Sequence, residues 1–535
     1  MPTTSIEPAP SQGPQGGAAS RGFIPGESAI AVPWGTDGTL DLRWPASGPM
    51  AEAAVEVIAP DLNGSVADYP SALESALASP IDATRLEDQV APGRSVAIVV
   101  DDPSRWTPVR EALPIVLARL HAAGVRPVDV TISVGVGRHH AVDADSMRRR
   151  VGESVAAGYR CFSPPVDDLS AYVELGTVEP GVPVRVFRPV AEADLRILIG
   201  SVLPHLQAGF GGGYKLILPG TSHRTTLGAL HRQGLVGRGG SDASGLLGGG
   251  AADNPMRRTI HAAAGLLGPC WSISHLIGGP GQVFRVIAGR PESVQESLAS
   301  EARQRFRAPE GDPVDIVVVG NHPWPGDPMQ SFKVLLHHRA ACRPGGTLVG
   351  LFWTDPAEIG RSFPVGALRK IAATGALGAW GIRHLIPAAQ HAAALAGSPA
   401  AFMIRWAREL VVDRNVLVYA PPLRERIGPR LGPVRLFSDL DELWACVARS
   451  APSSGQWSVV SGQRSVVSGP WSVVRGPWSV VRGQRGDDER GSTPEHQPLR
   501  VRIFPQGGLT YAPRPAGDRP SVPAFTDHRP PKTGH

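Results

Sequence analysis

Runs of β-branched and aliphatic residues alternate along this chain with stretches of helical character. Ser95-Val-Ala-Ile-Val-Val100 carries no polar residue after its first, the mark of a strand buried on both faces of a parallel sheet. Val109 to Ala123 reads as a helix, with Pro114 tolerated only near its start. Val128 to Val134 is the next strand, and Leu195 to Gly200 is a further buried strand that ends in a loop. A second series opens with the strand Val314 to Val319, continues with a helix from about Pro328 to Ala341, and returns to a strand over Gly346 to Phe352. Strand and helix in alternation imply parallel sheets covered by helices. The expected fold is α/β: two α/β domains with mostly parallel sheets and the active site in the cleft between them. Ahead of both, Ala29 to Trp34 and Leu40 to Trp44 read as a hairpin across Gly35-Thr-Asp-Gly38.

Punctuation supplies the expected boundaries. Residues 1–26 are rich in Pro, Gly and Ser and read as a disordered leader without an apolar signal core. Residues 27–290 form the N-terminal α/β domain and 291–452 the C-terminal one. Within 453–490, a seven-residue unit repeats four times between Ser458 and Arg485, beginning Ser-Val-Val and carrying Gly at its fifth place. The period is that of a coiled coil, but a Gly in every unit and Pro in two of them argue against a helix, so the repeat reads as a low-complexity insertion. Residues 491–512 carry a final strand returning to the α/β fold, and 513–535 read as a disordered tail.

Composition changes this picture little. A formal charge of +5 spread over 535 residues, without a dense basic block, gives no nucleic-acid footprint. No apolar run reaches membrane-spanning length. The four cysteines lie far apart with no C-x-x-C pair, which excludes a zinc knuckle or dithiol motif and fits a reduced cytoplasm.

The chemistry concentrates at strand ends, where ligands sit in open α/β sheets. The central stretch is His205-Leu-Gln-Ala-Gly-Phe-Gly-Gly-Gly-Tyr-Lys215, followed by a helix between Thr221 and Leu235 with Thr221 or Ser222 as N-cap and His231 late on it. The glycine run fails the phosphate-loop pattern: Tyr214 stands where Gly precedes the Lys, and Leu216 replaces the Ser or Thr that would hold magnesium. A nest of backbone N–H groups for an anionic ligand and a plain flexible loop with a surface lysine both remain open readings. Other strand ends offer Asp101, Asp102 and Arg105, or His139 and His140, while Gln330 and Lys333 share one helix face.

Together these residues resemble the nickel-pincer lactate racemase family, with its wider 2-hydroxyacid racemases and epimerases. The resemblance covers about residues 30 to 450 and the strand near 501 to 510. Asp101-Asp-Pro-Ser-Arg-Trp-Thr-Pro108 resembles the family's Asp-Asp-x-Thr-Arg-Pro-Thr-Pro loop. Pro204-His205 with Ala208-Gly-Phe-Gly-Gly-Gly-Tyr-Lys215 resembles its central signature, and Gln330-Ser-Phe-Lys333 its Gln-Ser-x-Lys helix.

The resemblance implies a nickel-pincer nucleotide (pyridinium-3,5-bisthiocarboxylic acid mononucleotide nickel) tethered to Lys215, with His231 as the nickel ligand. Sulfur and imidazole donors suit square-planar Ni(II). Gly211, Gly212 and Gly213 would lie close to this cofactor, and Asp102 and Arg105 would position cofactor or substrate. Gln330 and Lys333 would hold the substrate's carboxylate and oxygen. His139 and His205 are the implied general acid/base pair for reversible hydride transfer from a lactate-like 2-hydroxy acid. Aligning Gly137 with the family's Gly-x-His-Arg-Pro puts His139 at the base position; a shift of two would put Gly137 there and delete the base. Trp106 and Met329 also depart from the family pattern, which implies a changed pocket. The implied partners are the small 2-hydroxy acid and the cofactor-making enzymes, with neither nucleic acid nor membrane. The alternative is an inactive homologue that keeps the nucleotide pocket.

Overall fold

The computed structural model describes residues 18–23, 29–137, 141–179, 181–233, 247–250, 254–324, 326–362, 365–395, 401–412, 414–450 and 498–513. The leader up to 17, His139 and His140, the repeat and the tail after 513 lie outside them.

Two sheets organise the chain. The first has six strands in the order Gln282–Gly289, Cys270–Gly279, Leu195–Ser201, Val96–Asp101, Val130–Gly135, Arg160–Phe162. All neighbours are parallel except the edge pair made by Gln282–Gly289. Val96–Asp101 and Leu195–Ser201 are buried at every position, as their mainly apolar sequences predict, Arg196 being the buried exception inside the second. Val96, Ile98 and Val100 face helix Val109–Ala122 through Leu113, Val116 and Leu120. The alternate residues Ala97 and Val99 pack with Met256 and Ile260 of helix Pro255–Ala264 on the other face.

The second sheet has eight strands in the order Ala19–Phe23, Ala54–Ala59, Arg500–Phe504, Val314–Gly320, Cys342–Leu351, Asn415–Tyr419, Val434–Phe437, Arg430–Leu431. It is parallel from Ala54–Ala59 to Val434–Phe437, with a short antiparallel strand at each edge. An apolar core joins the two halves, running from Leu203, Phe210 and Leu276 to Val317, Leu335 and Phe504.

Several expectations change. Residues 18–23 of the supposed leader include a strand, paired with Ala54–Ala59. That second strand, placed by sequence in the N-terminal domain, belongs to the other sheet, and the hairpin Ile30–Trp34/Gly38–Leu42 packs its Ile30, Val32 and Leu42 against Ile316, Val318 and Leu351. At the other boundary, helix Pro291–Phe306 lays Val294 and Leu298 beside Leu276 and Ile277 of the first sheet, so its chain order misleads. The sheet a strand joins is set by partners that can lie hundreds of residues away, as Arg500–Phe504 does from Ala54–Ala59, and no local pattern names them. Helix Arg224–Gln233 starts later than expected, because Thr221 and Ser222 turn their hydroxyls back to the Ile217 carbonyl (3.5 and 2.8 Å) instead of capping it. The final strand does return to the fold, and it does so in the middle of a sheet, between Ala54–Ala59 and Val314–Gly320.

Candidate active site in the cleft

Beyond Leu195–Ser201 the chain makes a tight two-stranded turn, Pro204–His205 against Gly209–Phe210. The turn aims the amides of Gln207 and Ala208 at Nδ1 of His205, at 3.3 and 3.1 Å. An amide can only donate, so Nδ1 carries the lone pair and the neutral ring holds its proton on Nε2. Burial, with the charges of Lys215, Lys333, Arg105 and His231, keeps this imidazole well below its usual range.

The glycine run then folds back on its own strand. Gly212 and Gly213 have φ of +72° and +58°. A Cβ on Gly212 would stand 2.7 Å from Val202 Cγ2, one on Gly211 3.2 Å from the Ser201 carbonyl, and one on Gly213 3.3 Å from Gln295 Cβ. Protein atoms, in the strand and in helix Pro291–Phe306, thus account for three glycines that the sequence reading gave to ligand approach. Lys215 follows in the 3₁₀ turn Gly213–Leu216 and keeps part of its surface accessible. Burial, then the cations Arg105, Arg257 and Lys333, bring its amine down to about 7, with Asp102 opposing.

His231 places Nδ1 2.7 Å from the Leu227 carbonyl, one turn back on its helix. A carbonyl only accepts, so the proton is on Nδ1 and the lone pair on Nε2, the form in which a histidine binds a metal. Among the described residues no group of three or more His, Cys, Asp or Glu could hold a metal ion.

The opposite wall is helix Pro328–His338, capped by Asp327 through the amides of Met329 (2.7 Å) and Gln330 (3.4 Å). Lys333 donates from Nζ to Oε1 of buried Gln330 at 2.8 Å. The Asp101–Pro108 loop reaches this wall: Trp106 donates its indole N–H to the Pro323 carbonyl at 2.5 Å, and the Arg105 guanidinium lies 4.6 Å from the Trp324 ring centre. Asp102 is buried and accepts from the Ser104 amide at 2.7 Å.

Charges from both walls act on the same two groups, so Asp102, Arg105, His205, Lys215, His231, Lys333 and its partner Gln330 lie near one another. His139 lies outside the described residues. Sequence reasoning missed Arg257 and Trp324. It also passed over a plain signal: only four of the 53 basic Lys and Arg residues are lysines, and two of the four, Lys215 and Lys333, stand here. A chain that uses arginine nearly everywhere keeps lysine where an adaptable amine is needed.

The fold and site define a class, a two-sheet α/β protein with a half-buried lysine on a glycine turn between the halves. Residues 48–242 match the lactate racemase N-terminal domain. Two lactate racemases, of Thermoanaerobacterium thermosaccharolyticum and Lactiplantibacillus plantarum, are each 25% identical over 279 and 280 residues, which is 52% of this chain. The match spans 64% of each relative's length, less than two thirds. The apoprotein structure of the T. thermosaccharolyticum lactate racemase superposes with a TM-score of 0.61 at 18% identity, over 91% of this chain and 100% of that one. A Thermotoga maritima protein gives 0.51 at 13% identity, over 66% and 89%. Residues 48–242 thus resemble a lactate racemase N-terminal domain, and the fold as a whole resembles that of the lactate racemase apoprotein.

Proposed function

We propose that the protein is a racemase or epimerase of a lactate-like 2-hydroxy acid. The observation that carries this reading is the Lys215 amine, lowered to about 7 among cations contributed by both walls and beside a histidine that stays neutral. An amine in that state is a nucleophile near neutral pH. A nickel-pincer nucleotide held by Lys215 and His231 supplies, when bound, a reversible acceptor for the substrate's α-hydride.

The chain's own residues do the rest. Arg105 and Lys333 receive the carboxylate, with Gln330 fixing the lysine by its 2.8 Å hydrogen bond. Asp102 and Arg105, on one loop, orient cofactor and substrate. His205, with its proton on Nε2, donates to the C2 oxygen; taking a proton there would require Nδ1–H to face two amide hydrogens. Abstraction of the hydroxyl proton is assigned to His139 by the family resemblance, and the same residue would return a proton to the C2 oxygen. Trp106 and Met329 pack on the apolar core beside the cleft, which supports a substrate with an apolar side chain. The cofactor-making enzymes are the expected partners. A cytoplasmic setting belongs to the same reading, in keeping with the free thiols of Cys161, Cys270, Cys342 and Cys446.

The test is co-production with the cofactor-making enzymes, then intact mass, nickel content and chiral analysis of each lactate enantiomer. The wild type is expected to carry a nickel-bearing adduct and interconvert enantiomers of a 2-hydroxy acid, while Lys215→Ala carries neither adduct nor activity. Folded wild type with no adduct and no nickel would overturn the reading; an adduct without turnover of any 2-hydroxy acid tried would favour the inactive nucleotide-binding homologue.

A further inference from the structure

Arg257 is 1% exposed, and its guanidinium ends on backbone oxygen alone. It reaches the carbonyls of Ala208 and Gly212, each at 3.4 Å, and of Phe210 between them. These are the carbonyls of the turn that joins His205 to Lys215. Among the described residues no carboxylate lies within ion-pair distance of it; Glu296, whose charge it feels, is paired with Arg303 at 3.2 Å. Asn254 completes the arrangement. Its Nδ2 donates to the Gln207 carbonyl at 2.9 Å, and its Oδ1 accepts from the Arg257 amide at 2.9 Å, so the helix that carries Arg257 is docked on the turn it serves. Burying a guanidinium with no carboxylate costs several kcal/mol, of which carbonyl contacts recover only part. A neutral donor such as Gln would satisfy carbonyls without that cost, so the retained charge calls for a use.

We propose that Arg257 is a positioning residue for Lys215: its fork holds the His205–Lys215 turn by the carbonyls, and its fixed charge beside the amine prepares that amine for covalent attachment of a ligand. This rests on Lys215 as the attachment point in the reading above. The groups that act on the Lys215 amine are Arg105, Arg257, Lys333 and Asp102, and of these Arg257 is fixed by the turn's own backbone. Like charge disfavours the ammonium form, so the amine is available for attack at neutral pH.

The experiment uses the full chain without cofactor or substrate, so its outcome is independent of whether racemisation is ever found. Brief pulses of acetic anhydride are applied across neutral and alkaline pH, and acetylation is read by peptide mass spectrometry. With only four lysines every site is resolved, and exposed Lys370 is the internal reference. Wild-type Lys215 is expected to reach half-maximal reactivity near pH 7, about where its amine is held. Arg257→Gln, which keeps a donor for the carbonyls and removes the charge, is expected to lower acetylation of Lys215 relative to Lys370 at pH 7 by roughly fivefold, the effect of about one pH unit of displacement. Arg257→Lys is expected to restore most of it. A purely structural arginine would leave the pH profile in place. An unchanged Lys215 profile in folded Arg257→Gln overturns the proposal, and so, whether or not that variant folds, does a wild-type Lys215 that titrates like Lys370.

Discussion

At His205 the backbone settles the protonation state. Two amides on Nδ1 leave the proton on Nε2, whatever the side chains around it do. Nitrogen-15 NMR of histidine-labelled protein, assigned with His205→Gln, is expected to show an unprotonated Nδ1 throughout the neutral range; an Nδ1–H signal, or titration near 6.5, would remove the donor role. Lys215 gives a stability signature with a definite sign. Its folded value of about 7 lies below the ordinary lysine value of 10.5, so between these the unfolded chain binds more protons than the native state. Stability from this group therefore rises as pH rises through that window. Lys215→Met is expected to remove the rise, raising the melting temperature more at pH 7 than at pH 10; equal shifts at both would contradict a neutral amine.

At the scale of elements, the glycine turn is a packing device before it is a binding device. Gly212 combines φ +72° with ψ −178°, a region essentially limited to glycine, and its Cβ position is occupied by Val202. Gly212→Ala is expected to cost about 1–3 kcal/mol by denaturant unfolding, with loss of cofactor attachment, since the turn that aims His205 and Lys215 must move. Wild-type stability with full attachment would mean the turn tolerates a side chain. The Trp106 loop is the other element that matters here. Its sequence departs from the family's proline, and the structure gives the departure a contact, the indole N–H on the Pro323 carbonyl of the opposite wall.

For the whole molecule, burial of histidine sets the acid limit. Desolvation lowers His275, His322 and His338 to about 4 and His337 to about 3. Between those values and 6.5 the unfolded chain takes up protons that the folded one refuses, so stability falls as pH falls through this window. Melting curves are expected to move to lower temperature from pH 6.5 toward pH 4; a flat profile would mean that these rings are hydrated. The two sheets also show what was legible at this scale. Val96–Asp101, Leu195–Ser201 and Val314–Gly320 were plain because a buried parallel strand is predominantly apolar. The domain boundary was not, because Ala54–Ala59 looks like any half-buried strand and its partner Arg500–Phe504 lies beyond the repeat.

By itself the sequence determined the α/β class, the main strands and helices, and the residues able to carry chemistry, since periodicity, glycine turns and side-chain type are local properties. Tertiary structure alone decided which of those residues share a cleft, which sheet the first and last strands join, and that a buried arginine holds the lysine's turn. Those facts depend on strand pairing across hundreds of residues and on desolvation, and neither leaves a local mark in the chain.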